Sequence, residues 1–85
     1  MSRRPLVELY TRAGCCLCDD AKRVLAEARE RASFDYQEFD IDSATGMEAY
    51  ARAGGGRGVP LLLVGAQRVE GFSESAYDAV LRNRP

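Results

Sequence analysis

The sequence contains no histidine, and its three cysteines all lie between Cys15 and Cys18. Three thiols without a histidine are one ligand short of a closed four-ligand zinc site. An odd number of cysteines confined to one segment also does not suit the disulfide framework of a small secreted protein. Paired thiols of this kind are more typical of intracellular redox proteins, so we expect a cytoplasmic location.

Excess charge and long apolar segments are also missing. The 85 residues carry 12 basic and 13 acidic side chains, for a net charge of -1. No charge excess therefore attracts the chain to nucleic acid or to a membrane surface. No segment is apolar over the ~20 residues that a membrane-spanning helix needs. The apolar run after the basic N-terminus breaks at Glu8, which argues against a secretory signal. We expect neither nucleic acid nor membrane as a partner.

The first half of the chain predicts a strand, a helix and a second strand. The strand Leu6–Tyr10 is apolar on both faces, as in the interior of a sheet. The segment Leu17–Arg31 has apolar residues at steps of three and four, which is typical of a helix with one buried stripe. That stripe consists of Leu17, Ala21, Val24, Leu25, Ala28 and Ala32. A second strand is predicted over Ser33–Ile41.

The second half predicts a short helix, a hairpin and a last helix. The short helix contains Tyr50, interpreted as a packing residue, and ends at Gly54. The loop 54–58 has four glycines in five positions and is predicted to be flexible. The hairpin follows over 61–70, and Ser73 is suited to begin the last helix. The order of elements is β-α-β-α-β-β-α, and we predict a single domain over residues 1–85, because a chain of this size has room for one modest core.

The Cys15-x-x-Cys18 pair lies where the first strand turns into the first helix. Unpaired amides and the positive end of the helix dipole meet at such a position, and both favour a thiolate over a thiol. Residues three apart on a helix bring their side chains together, within reach of a disulfide. We expect Cys15 to be exposed at the helix edge and Cys18 to be shielded by its own helix. The pattern predicts thiol chemistry.

Further motifs accompany this pair. Gly14 stands directly before Cys15, Gly58-Val59-Pro60 precedes the hairpin, and Gly71-Phe72 precedes the last helix. With the order of elements, these motifs resemble the glutaredoxin branch of the thioredoxin superfamily over essentially the whole chain. The cysteine segment is most similar to small glutaredoxin-like proteins that carry Cys-His-Leu-Cys, with Cys16 in place of the histidine.

The resemblance implies a thioredoxin-like α/β fold of the glutaredoxin type, with a mixed four-stranded sheet flanked by helices. It also implies a thiol-disulfide oxidoreductase that reduces protein disulfides or glutathione mixed disulfides, with Cys15 as the nucleophile and Cys18 as the resolving thiol. The residues implied to contact substrate or glutathione are Arg12, Arg57, Val59, Pro60, Gly71, Phe72 and Ser73. Among them, Pro60 would be a cis-proline facing the disulfide, and the backbone of Val59 would pair with the substrate. The two arginines would contact a glutathione carboxylate, and the 71–73 loop would hold the other end of that molecule.

Two positions depart from the family pattern. The usual Gly-Gly is Glu70-Gly71 here, and the acidic residue that often follows the aromatic is Ser73. Glu70 brings a carboxylate to a site for an anionic tripeptide, which argues against tight glutathione binding. Redoxins that serve ribonucleotide reductase, and are reduced by thioredoxin reductase, share the single glycine. The electron donor therefore stays open between glutathione and thioredoxin reductase. We expect a monomer that acts on disulfide-containing proteins, with no bound cofactor and glutathione as a possible co-substrate.

Two alternatives stand beside this interpretation. The chain could carry a metal ion or a [2Fe–2S] cluster through Cys15, Cys16 and Cys18, which a second subunit would have to complete. It could also be a binding domain that keeps the fold without redox activity. Cys16 on its own is interpreted either as a spectator thiol or as an added metal ligand or third redox partner. Arg12 and Arg57 are interpreted as either ligand contacts or ordinary solvated charges.

Overall fold

A computed structural model of the chain describes residues 5–56 and 58–82, so the predicted contact residue Arg57 lies outside the described residues. Its elements follow the predicted order and confirm the β-α-β-α-β-β-α fold with a mixed four-stranded sheet. The strands are β1 (Leu6–Thr11), β2 (Asp35–Asp40), β3 (Leu61–Val64) and β4 (Gln67–Glu70). The helices are α1 (Cys16–Arg29), α2 (Ala44–Arg52) and α3 (Glu74–Arg82).

The sheet has the strand order β2-β1-β3-β4. β1 pairs in parallel with β2 and antiparallel with β3, which itself pairs antiparallel with β4. The antiparallel register sets Tyr10 opposite Leu61, so β1 ends where β3 begins. The cysteine segment that follows β1 and the Val59-Pro60 segment that precedes β3 therefore meet at the same edge of the sheet.

The two faces of the sheet are covered by different helices. On one face, α1 and α3 pack over a core formed by Val7, Leu9, Ala21, Val24, Leu25, Ala28, Phe34, Leu62, Val64, Tyr77 and Leu81. On the other face, α2 packs over a smaller cluster formed by Tyr10, Ile41, Ala49, Tyr50 and Leu61. Within the described residues, no helix combines the length and apolar character needed to cross a lipid bilayer.

The buried stripe of α1 begins one residue later than predicted. Leu17 was expected in the stripe, but its side chain is 50% exposed, whereas Cys18 is fully buried. The stripe runs from Cys18 to Ala21 and on through Val24, so Cys18 takes the first core-facing position of the helix. An apolar side chain is thereby left in solvent directly beside the cysteine pair.

Candidate functional site

Cys15 is the N-cap residue of α1, with an extended backbone at φ -99 and ψ 111. Its sulfur accepts a hydrogen bond from the backbone N–H of Cys18, with an N–S distance of 3.1 Å. A sulfur in this position does what a cap oxygen does in other helices, because it satisfies an amide that has no partner within the helix. A thiolate would gain more from the same contact, since hydrogen bonds to ionised acceptors are stronger.

Cys18 differs from Cys15 in its surroundings. It is fully buried, whereas Cys15 is partly exposed and Cys16 is exposed. Burial is the largest cause that raises the pKa of the Cys18 thiol, followed by its side-chain hydrogen bond with Cys15, and the pKa reaches about 11. A backbone hydrogen bond from Arg12 acts in the opposite direction. At neutral pH the pair is therefore asymmetric, with a protonated thiol lying behind the accessible sulfur.

The raised pKa of Cys18 predicts how the stability of the reduced protein depends on pH. The unfolded chain releases the Cys18 proton near the ordinary pKa of about 9, while the folded chain holds it until about pH 11. The stabilising contribution is thus complete below pH 9 and is lost as pH rises through 11. We expect the free energy of unfolding, measured by urea denaturation, to fall more steeply over this window than in Cys18→Ser. Tyrosine ionisation is common to both proteins, so equal slopes would contradict the prediction.

The Val59–Pro60 peptide bond is cis, as the resemblance implies. Pro60 is buried at the start of β3, and Val59 before it is partly buried. The carbonyl of Pro60 accepts a hydrogen bond of 2.9 Å from the backbone N–H of Gly71. This bond joins two segments that the resemblance assigns to substrate contact, although ten residues separate them in the sequence.

Contacts with residues of α3 hold the 71–73 segment in place. Ser73 begins the helix as predicted, because its hydroxyl accepts from the N–H of Ala76 at 3.3 Å. The rings of Phe72 and Tyr77 meet edge to face with centroids 5.1 Å apart, and the Tyr77 hydroxyl donates to the carbonyl of Gly71 at 3.3 Å. Burial raises the pKa of Tyr77, and the nearby Cys18 and Cys15 add to that rise. Tyr77 therefore holds this segment through Gly71 and Phe72 and lies near enough to the thiol pair for the cysteines to affect its pKa.

Arg12, which was predicted either to contact a glutathione carboxylate or to be solvated, forms an exposed ion pair with Asp42. Its Nε lies 3.2 Å from Oδ2 and 3.3 Å from Oδ1 of Asp42. About half of each side chain remains exposed, at 51% and 54%. The positive charge of Arg12 is thus already balanced by a carboxylate of the protein.

The negative charge of Glu70, the residue that departs from the family pattern, is also balanced by a neighbouring side chain. Its carboxylate lies 3.2 Å from the guanidinium of Arg68. The same guanidinium donates to the carbonyl of Ala53 at 3.0 Å and to that of Gly54 at 3.4 Å. Arg68 therefore reduces the repulsion that Glu70 exerts on an anion and ties β4 to the end of α2.

Sequence reasoning did not identify Asp42 or Arg68 as residues of this region. Asp42 follows β2 by two positions, just as Arg12 follows β1 by one. The parallel pairing of β1 with β2 places Thr11 beside Asp40, so residues that follow the two strands come together. Recognising the two strands as parallel neighbours would have predicted this pair.

The three thiols do not provide a metal site within this chain. Among residues 5–56 and 58–82, no group of three or more histidine, cysteine, aspartate or glutamate side chains comes together as a ligand set. Cys16 is exposed while Cys18 is sealed in the core, so their sulfurs face different environments. These residues do not fit a cluster or metal ion held by all three cysteines.

The chain is similar to several proteins of one kind. A family model described as Glutaredoxin-like domain (DUF836) matches residues 6–78. The solved structure of NrdH-redoxin from Escherichia coli, a glutaredoxin-like protein with a thioredoxin-like activity profile, is 29% identical at a TM-score of 0.66. That match covers 94% of this chain and 96% of the redoxin.

Two further comparisons concern more distant or partial matches. A glutaredoxin from Archaeoglobus fulgidus shares the fold at a TM-score of 0.74 with 19% identity, over 91% of this chain and 86% of the other. An uncharacterized protein of Mycobacterium tuberculosis is 46% identical over 41 residues, or 48% of this chain. The matched part spans 42% of the length of that curated relative.

Proposed function

Because the chain belongs to the glutaredoxin-like domain family, we propose that it is a thiol-disulfide oxidoreductase that reduces protein disulfides by dithiol exchange. The observation that carries the proposal is the asymmetry of the cysteine pair. Cys15 is partly exposed and accepts an amide hydrogen bond at a helix N-terminus, whereas Cys18 is fully buried behind it. One sulfur can reach a substrate, and the other can reach only the first sulfur.

The proposed reaction has two exchanges. The Cys15 thiolate attacks one sulfur of the substrate disulfide, the S–S bond breaks, and the departing thiolate takes a proton from solvent. Cys18 then loses its proton and attacks the Cys15 sulfur, which releases the second substrate thiol and forms the Cys15–Cys18 disulfide. The substrate gains two electrons from the enzyme and two protons, one from solvent and one from Cys18. A reductase or a thiol must return the electrons before the next turnover.

The surroundings of Cys15 support a protein as the substrate. Leu17 presents an exposed apolar side chain two residues away, and partly buried Val59 and Phe72 occupy the segments that the family uses for substrate contact. The centre of a protein–protein interface is more apolar than the surrounding surface and is enriched in aromatic residues. In this proposal Leu17, Val59 and Phe72 contact the substrate chain on either side of its disulfide.

The charges around the site support thioredoxin reductase rather than glutathione as the electron donor. Glutathione needs cations for its carboxylates, but Arg12 is already paired with Asp42 at 3.2 Å. Ser73 offers no charge to the amino group of glutathione, and its hydroxyl caps α3. The thioredoxin-like activity profile of the related NrdH-redoxin supports the same choice. The cytoplasmic location and monomeric state stay predictions.

A coupled assay tests the proposal. The oxidised protein is given either thioredoxin reductase, or glutathione with its reductase, and the loss of NADPH is followed in each case with insulin as the final disulfide. We expect turnover with thioredoxin reductase to exceed that with glutathione about tenfold or more, because Arg12, the predicted glutathione contact among the described arginines, is already paired with Asp42. Turnover with neither donor would contradict the redox function, and faster turnover with glutathione would contradict the choice of donor.

The variant Asp42→Asn sharpens this assay. It removes the carboxylate that balances Arg12, so turnover with glutathione should rise about twofold to fivefold at low salt, the range expected for an exposed ion pair. Asp78→Asn is the matched control, because Asp78 pairs with Arg82 on α3 at 3.1 Å and its loss changes the net charge equally. Equal effects of the two variants would show that only the net charge matters.

A further inference from the structure

Gly55, Gly56 and Gly58 of the glycine-rich loop, which was predicted to be flexible, are organised around one side chain. The hydroxyl of Tyr50 donates to the carbonyl of Gly58 at 2.8 Å. The same oxygen accepts from the backbone N–H of Gly58 at 2.9 Å and from that of Gly56 at 3.0 Å. A single phenolic oxygen thus binds three backbone groups of the loop.

The ring of Tyr50 gives this oxygen a defined position. Tyr50 is 6% exposed, and its ring packs against that of Tyr10 with centroids 5.8 Å apart. The loop passes so close to the ring that a Cβ at position 55 would lie 2.5 Å from three of its carbons. Glycine is required at that position because any side chain would displace either the loop or the ring.

The hydrogen bonds at Gly58 orient the peptide planes on both sides of it. Its N–H belongs to the plane that precedes Gly58, and its carbonyl belongs to the plane shared with the N–H of Val59. Gly58 has a φ of 106°, a backbone conformation that residues other than glycine rarely adopt. The Tyr50 oxygen binds one group of each plane. Because Tyr50 belongs to α2, the position of that helix determines the direction of the Val59 backbone.

We propose that Tyr50 is a positioning residue that holds Val59 and Pro60 in the orientation needed to receive a substrate chain. This inference rests on the proposed function, in which the backbone of Val59 pairs with the substrate next to the reacting disulfide. Tyr50 touches neither the substrate nor the sulfurs and acts only through Gly58. A preoriented segment avoids the ordering that a flexible loop would undergo at each binding event.

The test compares Tyr50→Phe with the wild-type protein in the reduction of a protein disulfide. The variant keeps the ring and removes the oxygen, so KM should rise about fivefold or more while kcat changes less than twofold. The rate of Cys15 alkylation by iodoacetamide should stay within twofold, because that reagent needs no backbone partner. Tyr36→Phe is the matched control, since it loses only a hydrogen bond to Glu38 at an exposed part of β2. An unchanged KM in folded, active Tyr50→Phe would overturn the inference.

A second readout does not depend on redox activity. Amide hydrogen exchange of Gly56 and Gly58, followed by NMR, should be about tenfold faster in Tyr50→Phe than in wild type, and unchanged exchange would overturn the inference.

Should Tyr50→Phe not fold, Gly55→Ala displaces the loop while keeping the hydroxyl, and the same rise in KM is expected. A normal KM in Gly55→Ala would then overturn it. Inactivity of the wild-type protein toward every disulfide would instead refute the proposed function.

Discussion

Cys15→Ser is expected to lower disulfide reduction about a thousandfold or more, to the background rate of the assay. A serine hydroxyl is not ionised at neutral pH and forms no stable bond to sulfur, so the first exchange cannot occur. The fold should persist, because serine is a good N-cap residue whose oxygen can accept the Cys18 amide in place of sulfur. Turnover is measured by NADPH loss with insulin as the disulfide, and folding by circular dichroism.

Cys16→Ser is the matched control for this variant. It removes a neighbouring thiol of the same segment that is exposed and lies beyond the N-cap position. We expect it to retain turnover within about twofold, because the proposed reaction uses no third thiol. Full activity in Cys15→Ser, or its loss in Cys16→Ser, would mean that the nucleophile is wrongly assigned.

Cys18→Ser is expected to trap the substrate on the enzyme. Without the buried thiol, the mixed disulfide between Cys15 and the substrate has no internal group to resolve it. Reduction of protein disulfides should fall about a hundredfold or more, and a covalent adduct of one enzyme with one substrate should accumulate. Non-reducing electrophoresis and mass spectrometry measure the adduct. Any turnover of glutathione mixed disulfides should be spared, since external glutathione can resolve them.

The trapping experiment needs a background that contains one accessible thiol. In Cys16→Ser/Cys18→Ser the adduct can form only through Cys15, and adding Cys15→Ser should remove it entirely. An adduct that persists in the triple variant would point to modification outside the cysteines. Rapid release of substrate from Cys16→Ser/Cys18→Ser would contradict the role of Cys18 as the resolving thiol.

Local sequence signals predicted much of the fold. The apolar strand 6–10, the periodic stripe through Ala21 and Val24, and the hairpin 61–70 each depend on neighbours within a few residues, so their pattern can be recognised along the chain. The cap at Ser73 is of the same kind. Placement of Cys15 at the helix start also followed from the sequence, because a strand, a glycine and a helical pattern succeed one another there.

Longer-range contacts were not predictable in this way. Leu17 suits the helical stripe by its spacing, and only the packing of the helix decided that its side chain is exposed. A run of glycines usually indicates flexibility, yet this loop is bound by a phenol that belongs to the preceding helix. Its order depends on the direction in which α2 presents the ring, and composition does not report that direction.

The sequence by itself determined the order of the elements and the position of the cysteine pair at a helix start, because helix, strand and cap preferences act between near neighbours. Only the tertiary structure decided which charge stands beside Arg12 and which oxygen orders the glycines. Those outcomes depend on pairings between segments about 8 to 30 residues apart. Such pairings arise from the sheet register and from helix packing, and neither is encoded in any single stretch of the chain.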